Sequence, residues 1–131
     1  MDVWILRFPE PRQRSSAARD LVVLQRSPAG EESELEVLEV ELQSSPLLKA
    51  VQTQVEQGRP RLILDLIHEK HMDSNDLAQI LGAFKQAAEA GAELVIANPN
   101  SNIREIFRIT RLYEVVELFD SVDAAAEHLT T

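Results

Sequence analysis

The half of the chain that begins at Arg59 alternates short β-branched apolar runs with longer amphipathic stretches. The three apolar runs lie at 62–66, 93–97 and 115–119. The amphipathic stretches that follow them, with apolar residues at helical spacing, lie at 77–88, 103–107 and 122–129. Because strands that alternate with helices usually pair in parallel, this pattern predicts an α/β fold with a sheet whose centre is largely parallel.

Local signals mark the ends and buried faces of these helices. Gly91 supplies a stop for the first helix, Asn102 and Glu105 have capping-box spacing in the second, and Asp120-Ser121 can cap the last. The spacing predicts inward-facing side chains in these three helices at Leu77, Ile80, Leu81, Phe84, Ala88, Ile103, Ile106, Phe107, Val122, Ala125, Ala126 and Leu129.

The amino-terminal part contains one clear helix signal and three candidate strands. Ser45 as N-cap, Pro46 at the first helical position and Gly58 as stop bound a helix with Leu47, Leu48, Val51 and Val55 on one face. The candidate strands are Val3 to Phe8, Leu21 to Gln25 and Leu35 to Leu42. In the last candidate strand, the alternation of apolar and polar residues shifts by one position at Leu38. Either a bulge or a helix explains this shift.

Composition narrows the classes of protein. The chain has 131 residues, which is the size of one ordinary domain, and contains no apolar run near the roughly 20 residues of a membrane helix. Its start has no secretory pattern, so we expect a cytoplasmic protein. The formal charge of -9 disfavours nucleic acid as a partner, and the lack of cysteine excludes disulfides, thiolate metal sites and cysteine nucleophiles.

Ser74 is the residue whose position is most suggestive of chemistry. It follows Met72-Asp73 where the 77–88 helix begins, and the backbone N–H groups at a helix start are unpaired. A serine there normally caps the helix, and residue chemistry alone favours this structural role. A phosphoserine would also be tolerated, since its negative charge lies at the favourable end of the helix dipole.

The sequence resembles STAS domains of the anti-sigma factor antagonist family. The resemblance rests on the following segments: Leu62-Ile63-Leu64-Asp65-Leu66, Met72-Asp73-Ser74, Leu81-Gly82-Ala83-Phe84-Lys85, Ala92 to Ala97, Asn100-Ser101, Ile103 to Phe107, Thr110-Arg111-Leu112 and Phe119 to Val122. It implies one domain over 1–131, with a well-matched core at 45–131 and divergent strands and loops at 1–44. The implied fold is a mixed sheet flanked by about four helices.

The resemblance also implies a function that involves no cofactor and no enzymatic activity. In the family, the unphosphorylated protein binds an anti-sigma serine kinase of the histidine-kinase-ATPase type. Phosphorylation of the serine after the aspartate, here Ser74, breaks that complex, and a metal-dependent serine phosphatase restores it. The partner footprint expected from the strand ends and the nearby helix comprises Met72, Asp73, Ser74, Asn75, Asp76, Ala78, Lys85, Asn98, Asn100 and Ser101.

Two departures from the family pattern keep a second function open. Asn75-Asp76 replaces the usual Ser-Gly or Thr-Gly after the serine, and Arg111 stands where the family commonly has a helix-ending glycine. The extra carboxylate of Asp76 makes the local potential more negative and disfavours a second negative group. A STAS scaffold that no longer cycles phosphate is therefore the first alternative.

The other chemical candidates have weaker support. His68 and His71 are three residues apart on a predicted loop without an obvious third ligand, so we assign no metal. Asp65, at the end of an apolar strand, is similar to the phosphoacceptor of receiver domains, which gives a third reading as a phosphoaspartate switch. The first strand, however, lacks the acidic pair expected of receivers. Phosphate-binding glycine loops and hydrolase motifs are absent, so we expect no enzyme.

Overall fold

The computed structural model describes residues 3–7, 21–27, 29–38, 46–69, 72 and 74–130. Several predicted features fall outside these residues: the Ser45 cap, the strand ends at Phe8 and beyond Leu38, and the residues Lys70, His71 and Asp73.

Within the described residues, six strands and four helices follow one another along the chain. In order they are β1 (Val3–Arg7), β2 (Leu21–Arg26), β3 (Glu32–Leu38), α1 (Pro46–Glu56), β4 (Arg61–Asp65), α2 (Ser74–Glu89), β5 (Glu93–Ala97), α3 (Ser101–Ile109), β6 (Leu118–Phe119) and α4 (Val122–Thr130).

The strands form one mixed sheet in the order β3-β2-β1-β4-β5-β6. The pairs β1 with β4, β4 with β5 and β5 with β6 are parallel, whereas β2 pairs antiparallel with both β1 and β3. The predicted sheet with a parallel centre is therefore confirmed. The connection from β1 to β4 passes through the antiparallel β2 and β3, which is the part that helix–strand alternation did not predict.

Both faces of the central strands are buried, and they face different helices. Leu62 and Leu64 point into a cluster with residues of α1, α2 and α3, whereas Ile63 between them points into a second cluster with α4. Successive strand residues alternate between the two faces, so a continuous apolar run is what a strand covered on both sides requires. Three helices thus cover one face and α4 covers the other.

The predicted bulge is present, although it lies earlier than the phase slip suggested. Val23 pairs with Glu36 and Leu24 pairs with Glu34, so Leu35 is the extra residue of β3. β3 begins at Glu32 and continues as a strand through Leu38. The helical explanation of the slip is therefore wrong over the described part of this segment.

The strand predicted over 115–119 is wrong in its first half. Leu112–Glu114 form a 3-10 turn, Val115 is exposed, and Val116 is buried before the two-residue β6. Only Leu118 and Phe119 pair, with Ile96 and Ala97 of β5. A strand at the edge of a sheet forms backbone hydrogen bonds to a neighbouring strand on one side only. Val115, before β6, instead forms its backbone hydrogen bond within the turn, where its N donates to Leu112 O at 3.0 Å.

The prediction of which helix residues face the core is confirmed for α4 and partly wrong for α2. Leu81 and Ala88 of α2 are exposed, while Ala83 and Ala87 are buried against β5 and α1. The apolar positions of this helix cover a wider arc than the stripe that the sheet and α1 bury, so periodicity alone did not separate the two sets. In α4, all four predicted inward residues are buried.

The helix-end signals of α2 and α4 are confirmed. Gly91 follows α2 with φ 78, a backbone conformation that glycine adopts without strain. Ser121 precedes α4, and its Oγ accepts a hydrogen bond from Ala124 N at 3.0 Å. Both signals act over a few residues, which explains why they could be read directly from the sequence.

Phe107 should contribute strongly to stability, because it is the largest of the fully buried side chains. We expect Phe107→Ala to lower the free energy of unfolding by about 3–5 kcal/mol. Ile109→Ala in the same helix is the matched control, because Ile109 is 67% exposed and its loss should cost less than about 0.5 kcal/mol. Urea unfolding of both variants measures the difference, and equal losses would contradict this packing.

Candidate functional site

The loops that carry the predicted site lie at one edge of the sheet. β4 ends at Asp65, β5 ends at Ala97 and β6 ends at Phe119, and these strands run parallel. The chain leaves this carboxyl edge to enter α2 at Ser74, α3 at Ser101 and α4 at Val122. Ligands and partners of open α/β sheets usually bind at this edge.

Asp65 anchors the edge from inside the protein. It is 1% exposed, and Arg7 Nε of the neighbouring strand donates to its Oδ2 at 2.6 Å. Its Oδ1 accepts from Asn98 Nδ2 at 2.9 Å and from the backbone N of Ile67 at 3.1 Å. A buried carboxylate is stable only when its charge is compensated and its oxygens are hydrogen-bonded, and both conditions hold here.

This environment argues against the hypothesis that Asp65 is the phosphoacceptor of a receiver-like switch. A phosphoacceptor needs an oxygen that faces solvent and the incoming phosphoryl group, whereas both oxygens of Asp65 already accept hydrogen bonds in the interior. The antiparallel β2 and β3 also differ from the all-parallel sheet expected of a receiver. The contacts of Asp65 are those of a side chain that holds the strand end in place.

Asn98 and Asn100 join the loop after β5 to the loop after β4. Asn98 adopts a left-handed backbone with φ 58, which asparagine tolerates better than most residues, and its amide reaches Asp65. Asn100 Nδ2 donates to the backbone O of Glu69 at 3.3 Å. The two loops of the predicted footprint are therefore connected by side-chain hydrogen bonds.

The N-cap of α3 is Asn100, and the predicted capping box at Asn102 and Glu105 is wrong. Asn100 Oδ1 accepts from Ile103 N at 2.9 Å, so Asn102 already lies inside the first turn. Glu105 instead pairs with Arg108, whose guanidinium hydrogen-bonds the carboxylate and lowers the pKa of Glu105 below its ordinary value. The sequence pattern allows either Asn100 or Asn102 as the N-cap. Only the position at which the helical backbone begins distinguishes them.

The structure describes most residues of the predicted partner footprint around α2. Ser74 is the first residue of α2, a helix of 16 residues, and Asp76 lies half-buried in its first turn. Met72 is half-buried and packs against the main core cluster, while Ala78, Lys85 and, on α3, Ser101 are exposed. Asp73 lies outside the described residues.

The sequence analysis did not select Arg7, which the structure places at the centre of this edge. Arg7 bonds Asp65 and also lies 3.4 Å from Glu32 of β3, measured from Nη2 to Oε1. Arg7 and Asp65 are register partners of parallel strands, 58 residues apart in the chain. Two opposite charges at the ends of otherwise apolar strands were the available signal.

In the described part of the chain, no three His, Cys, Asp or Glu residues are grouped so as to hold a metal ion. The same part contains no helix long and apolar enough to cross a membrane.

Comparison with known proteins identifies the family. The model of the STAS domain matches residues 39–125. The chain belongs to the STAS domain family. BtrV of Bordetella bronchiseptica, provisionally named an anti-sigma factor antagonist, is 31% identical over 78 residues, which cover 60% of this chain and 67% of BtrV. The anti-sigma-B factor antagonist of Listeria monocytogenes is 29% identical over 82 residues, which cover 61% of this chain and 71% of the relative.

The fold comparison agrees with this STAS assignment. A crystal structure from Thermotoga maritima, provisionally titled an anti-sigma factor antagonist, superposes with a TM-score of 0.61 at 20% identity and covers 72% of this chain and 87% of that one. At this identity the likeness concerns the fold alone. Because the family's antagonists are regulatory proteins, the prediction that the chain is not an enzyme is confirmed by this membership.

The buried position of Asp65 predicts a large difference between two conservative variants. Asp65→Asn leaves Arg7 facing an amide that cannot neutralise it, and we expect a loss of about 3 kcal/mol in unfolding free energy. Asp120→Asn removes an ion pair with Arg104 in which the aspartate side chain is 91% exposed, so its cost should stay below about 1 kcal/mol. Urea unfolding compares them, and a similar small loss for both would contradict the anchoring role.

Proposed function

We propose that this chain is a cytoplasmic anti-sigma factor antagonist that binds an anti-sigma serine kinase and releases it when Ser74 is phosphorylated. The family match and the names of the relatives support the first part. The observation that carries the second part is the position of Ser74 as the first residue of α2, at the carboxyl edge of the sheet.

The electrostatics of a helix start support a reversible switch at Ser74. The unpaired backbone N–H groups and the helix dipole favour a phosphate there, so modification does not require the fold to change. A phosphoserine adds nearly two negative charges and considerable bulk. At a partner interface, added charge of this kind costs binding when the opposing surface is apolar or acidic.

The proposed partner surface combines the start of α2 with the loop after β5. Its members are Met72, Asp73, Ser74, Asn75, Asp76, Ala78, Lys85, Asn98, Asn100 and Ser101. The bonds from Asn98 to Asp65 and from Asn100 to Glu69 support a joint surface, since they fix the two loops relative to each other. We propose a kinase of the histidine-kinase-ATPase type as the partner and a metal-dependent serine phosphatase as the enzyme that resets the switch.

Intact-mass measurement tests this proposal directly. The purified chain, incubated with Mg-ATP and each anti-sigma kinase encoded in the same genome, should gain one phosphate with one of them. Ser74→Ala should gain none, whereas Ser101→Ala, at the start of the neighbouring α3, should gain one. Ser74→Glu should weaken kinase binding at least about tenfold, because it places a charge in the interface. No phosphate with any kinase would refute the phosphorylation step.

The second candidate function is a STAS scaffold that binds its partner without phosphate cycling. Asp76 favours this candidate, because it puts a half-buried carboxylate two residues after Ser74 in the first turn of α2. On this alternative, partner binding is insensitive to Ser74→Glu and needs no nucleotide.

Asp76→Asn tests whether this carboxylate opposes phosphorylation of Ser74, since it removes the charge and keeps the size of the side chain. If Ser74 is phosphorylated, lower repulsion of the incoming phosphate should raise the initial rate about threefold or more. The measurement is the rate of phosphate incorporation, with Asp123→Asn in the first turn of α4 as the control that leaves this rate unchanged. A rate unaltered by Asp76→Asn would show that this carboxylate does not oppose phosphorylation.

A further inference from the structure

A second surface, remote from Ser74, lies at the other end of α3. Three large apolar side chains are exposed within seven residues: Ile109 at 67%, Tyr113 at 51% and Val115 at 54%. Single exposed apolar residues are ordinary, but several on one short segment indicate a contact surface. We call this segment, residues 109–115, the turn surface.

The turn surface is held rigidly. Thr110 N donates to Ile106 O at 3.0 Å, Glu114 N donates to Arg111 O at 3.1 Å and Val116 N donates to Leu112 O at 2.9 Å. Leu112 packs against the main core cluster and Val116 is 1% exposed. The exposed side chains therefore project from an anchored turn, so little conformational freedom of the backbone is lost when another molecule covers them.

Arg111 has a strained backbone in the middle of this surface. Its φ of 60 and ψ of 22 lie in the left-handed region, which glycine occupies without the crowding of a Cβ atom. The side chain is exposed, and within the described residues no ion pair involves it. A strained position that holds a long cationic side chain points to a role for that side chain outside the fold.

Glu114 gives the turn surface a self-complementary charge pattern. It lies three residues after Arg111, is exposed, and also has no ion pair within the part of the chain that the structure describes. In a two-fold symmetric contact, a residue that touches a second residue of the other copy is itself matched by the reverse contact. Arg111 of each copy can therefore pair with Glu114 of the other, which gives two equivalent ion pairs.

We propose that the turn surface is the contact of a two-fold symmetric dimer of this chain. Burial of three apolar side chains drives the association, and the reciprocal pairs of Arg111 with Glu114 set its register. Opposite charges meet locally, which offsets the mutual repulsion of two copies with a formal charge of -9 each. Another protein as the occupant would need its own complementary pattern, whereas a second copy already has it.

The proposed dimer leaves the candidate partner surface free. α3 begins at Ser101, a member of that surface, and reaches the turn surface at Ile109 eight residues later, about 12 Å away along its axis. The proposed contact therefore uses no residue of the candidate partner surface. This inference does not depend on phosphorylation, so it stands or falls independently of the function proposed above.

Sedimentation equilibrium of the chain tests the dimer. Because the proposed interface is small and small interfaces bind weakly, the measurement covers about two orders of magnitude in protein concentration. The unmodified chain should dimerise. Val115→Ser should weaken the dimer at least about tenfold, whereas Ile67→Ser, which removes an apolar side chain that is 55% exposed elsewhere, should leave it unchanged. A chain that stays monomeric at every concentration would overturn the proposal.

Charge reversal tests the predicted register. Arg111→Glu and Glu114→Arg should each weaken self-association at least about tenfold, because each places like charges opposite one another. An equimolar mixture of the two variants should form heterodimers, since every pair across the contact is then again one of opposite charge. Failure of the mixture to associate would overturn the proposed pairing even if the unmodified chain dimerises.

Arg111→Gly separates a structural role from an interface role. Because the left-handed backbone suits glycine, the melting temperature of this variant at a concentration where the chain is monomeric should be unchanged or raised. Its dimer dissociation constant should nevertheless rise at least about tenfold. An unchanged dissociation constant would contradict the proposed contact of Arg111.

Discussion

The ion pair between Asp65 and Arg7 is the interaction on which the carboxyl edge of the sheet depends. It places a carboxylate in the interior at the end of the central strand and compensates it from the adjacent strand at 2.6 Å. The remaining oxygen of Asp65 holds Asn98 and the backbone of Ile67, so one side chain fixes the ends of β1 and β4 and the loop after β5. Buried charges tolerate little rearrangement, because separating them leaves a charge without compensation.

A rigid edge of this kind is suited to switching by a local charge. Asn98 bonds Asp65, and Asn100 both bonds the backbone O of Glu69 and caps α3, so the loop after β5 and the start of α3 are tied to the loop after β4. A phosphate on Ser74 would change the charge and shape of the proposed partner surface without altering the fold beneath it. Affinity is then controlled by electrostatics at the contact and needs no conformational transition.

The features that the sequence predicted well are those set by neighbouring residues. β4 and β5 are continuous apolar runs covered on both faces, and Gly91 and Ser121 mark helix ends by local backbone chemistry. Features decided by distant partners were missed or misread. The pairing of Arg7 with Asp65 joins residues 58 positions apart, the choice of Asn100 over Asn102 depends on the chain path, and β6 is short because only Leu118 and Phe119 meet β5.

Amide hydrogen exchange of the chain, free and bound to the anti-sigma kinase proposed as its partner, is the most direct test of the claim that partners dock on the carboxyl edge. The account predicts slower exchange in the bound state for the first two turns of α2, from Ser74, and for residues 98–103, compared with the free protein. Exchange that is unchanged in both segments, with protection confined to β2 and β3 or to the turn surface, would contradict it.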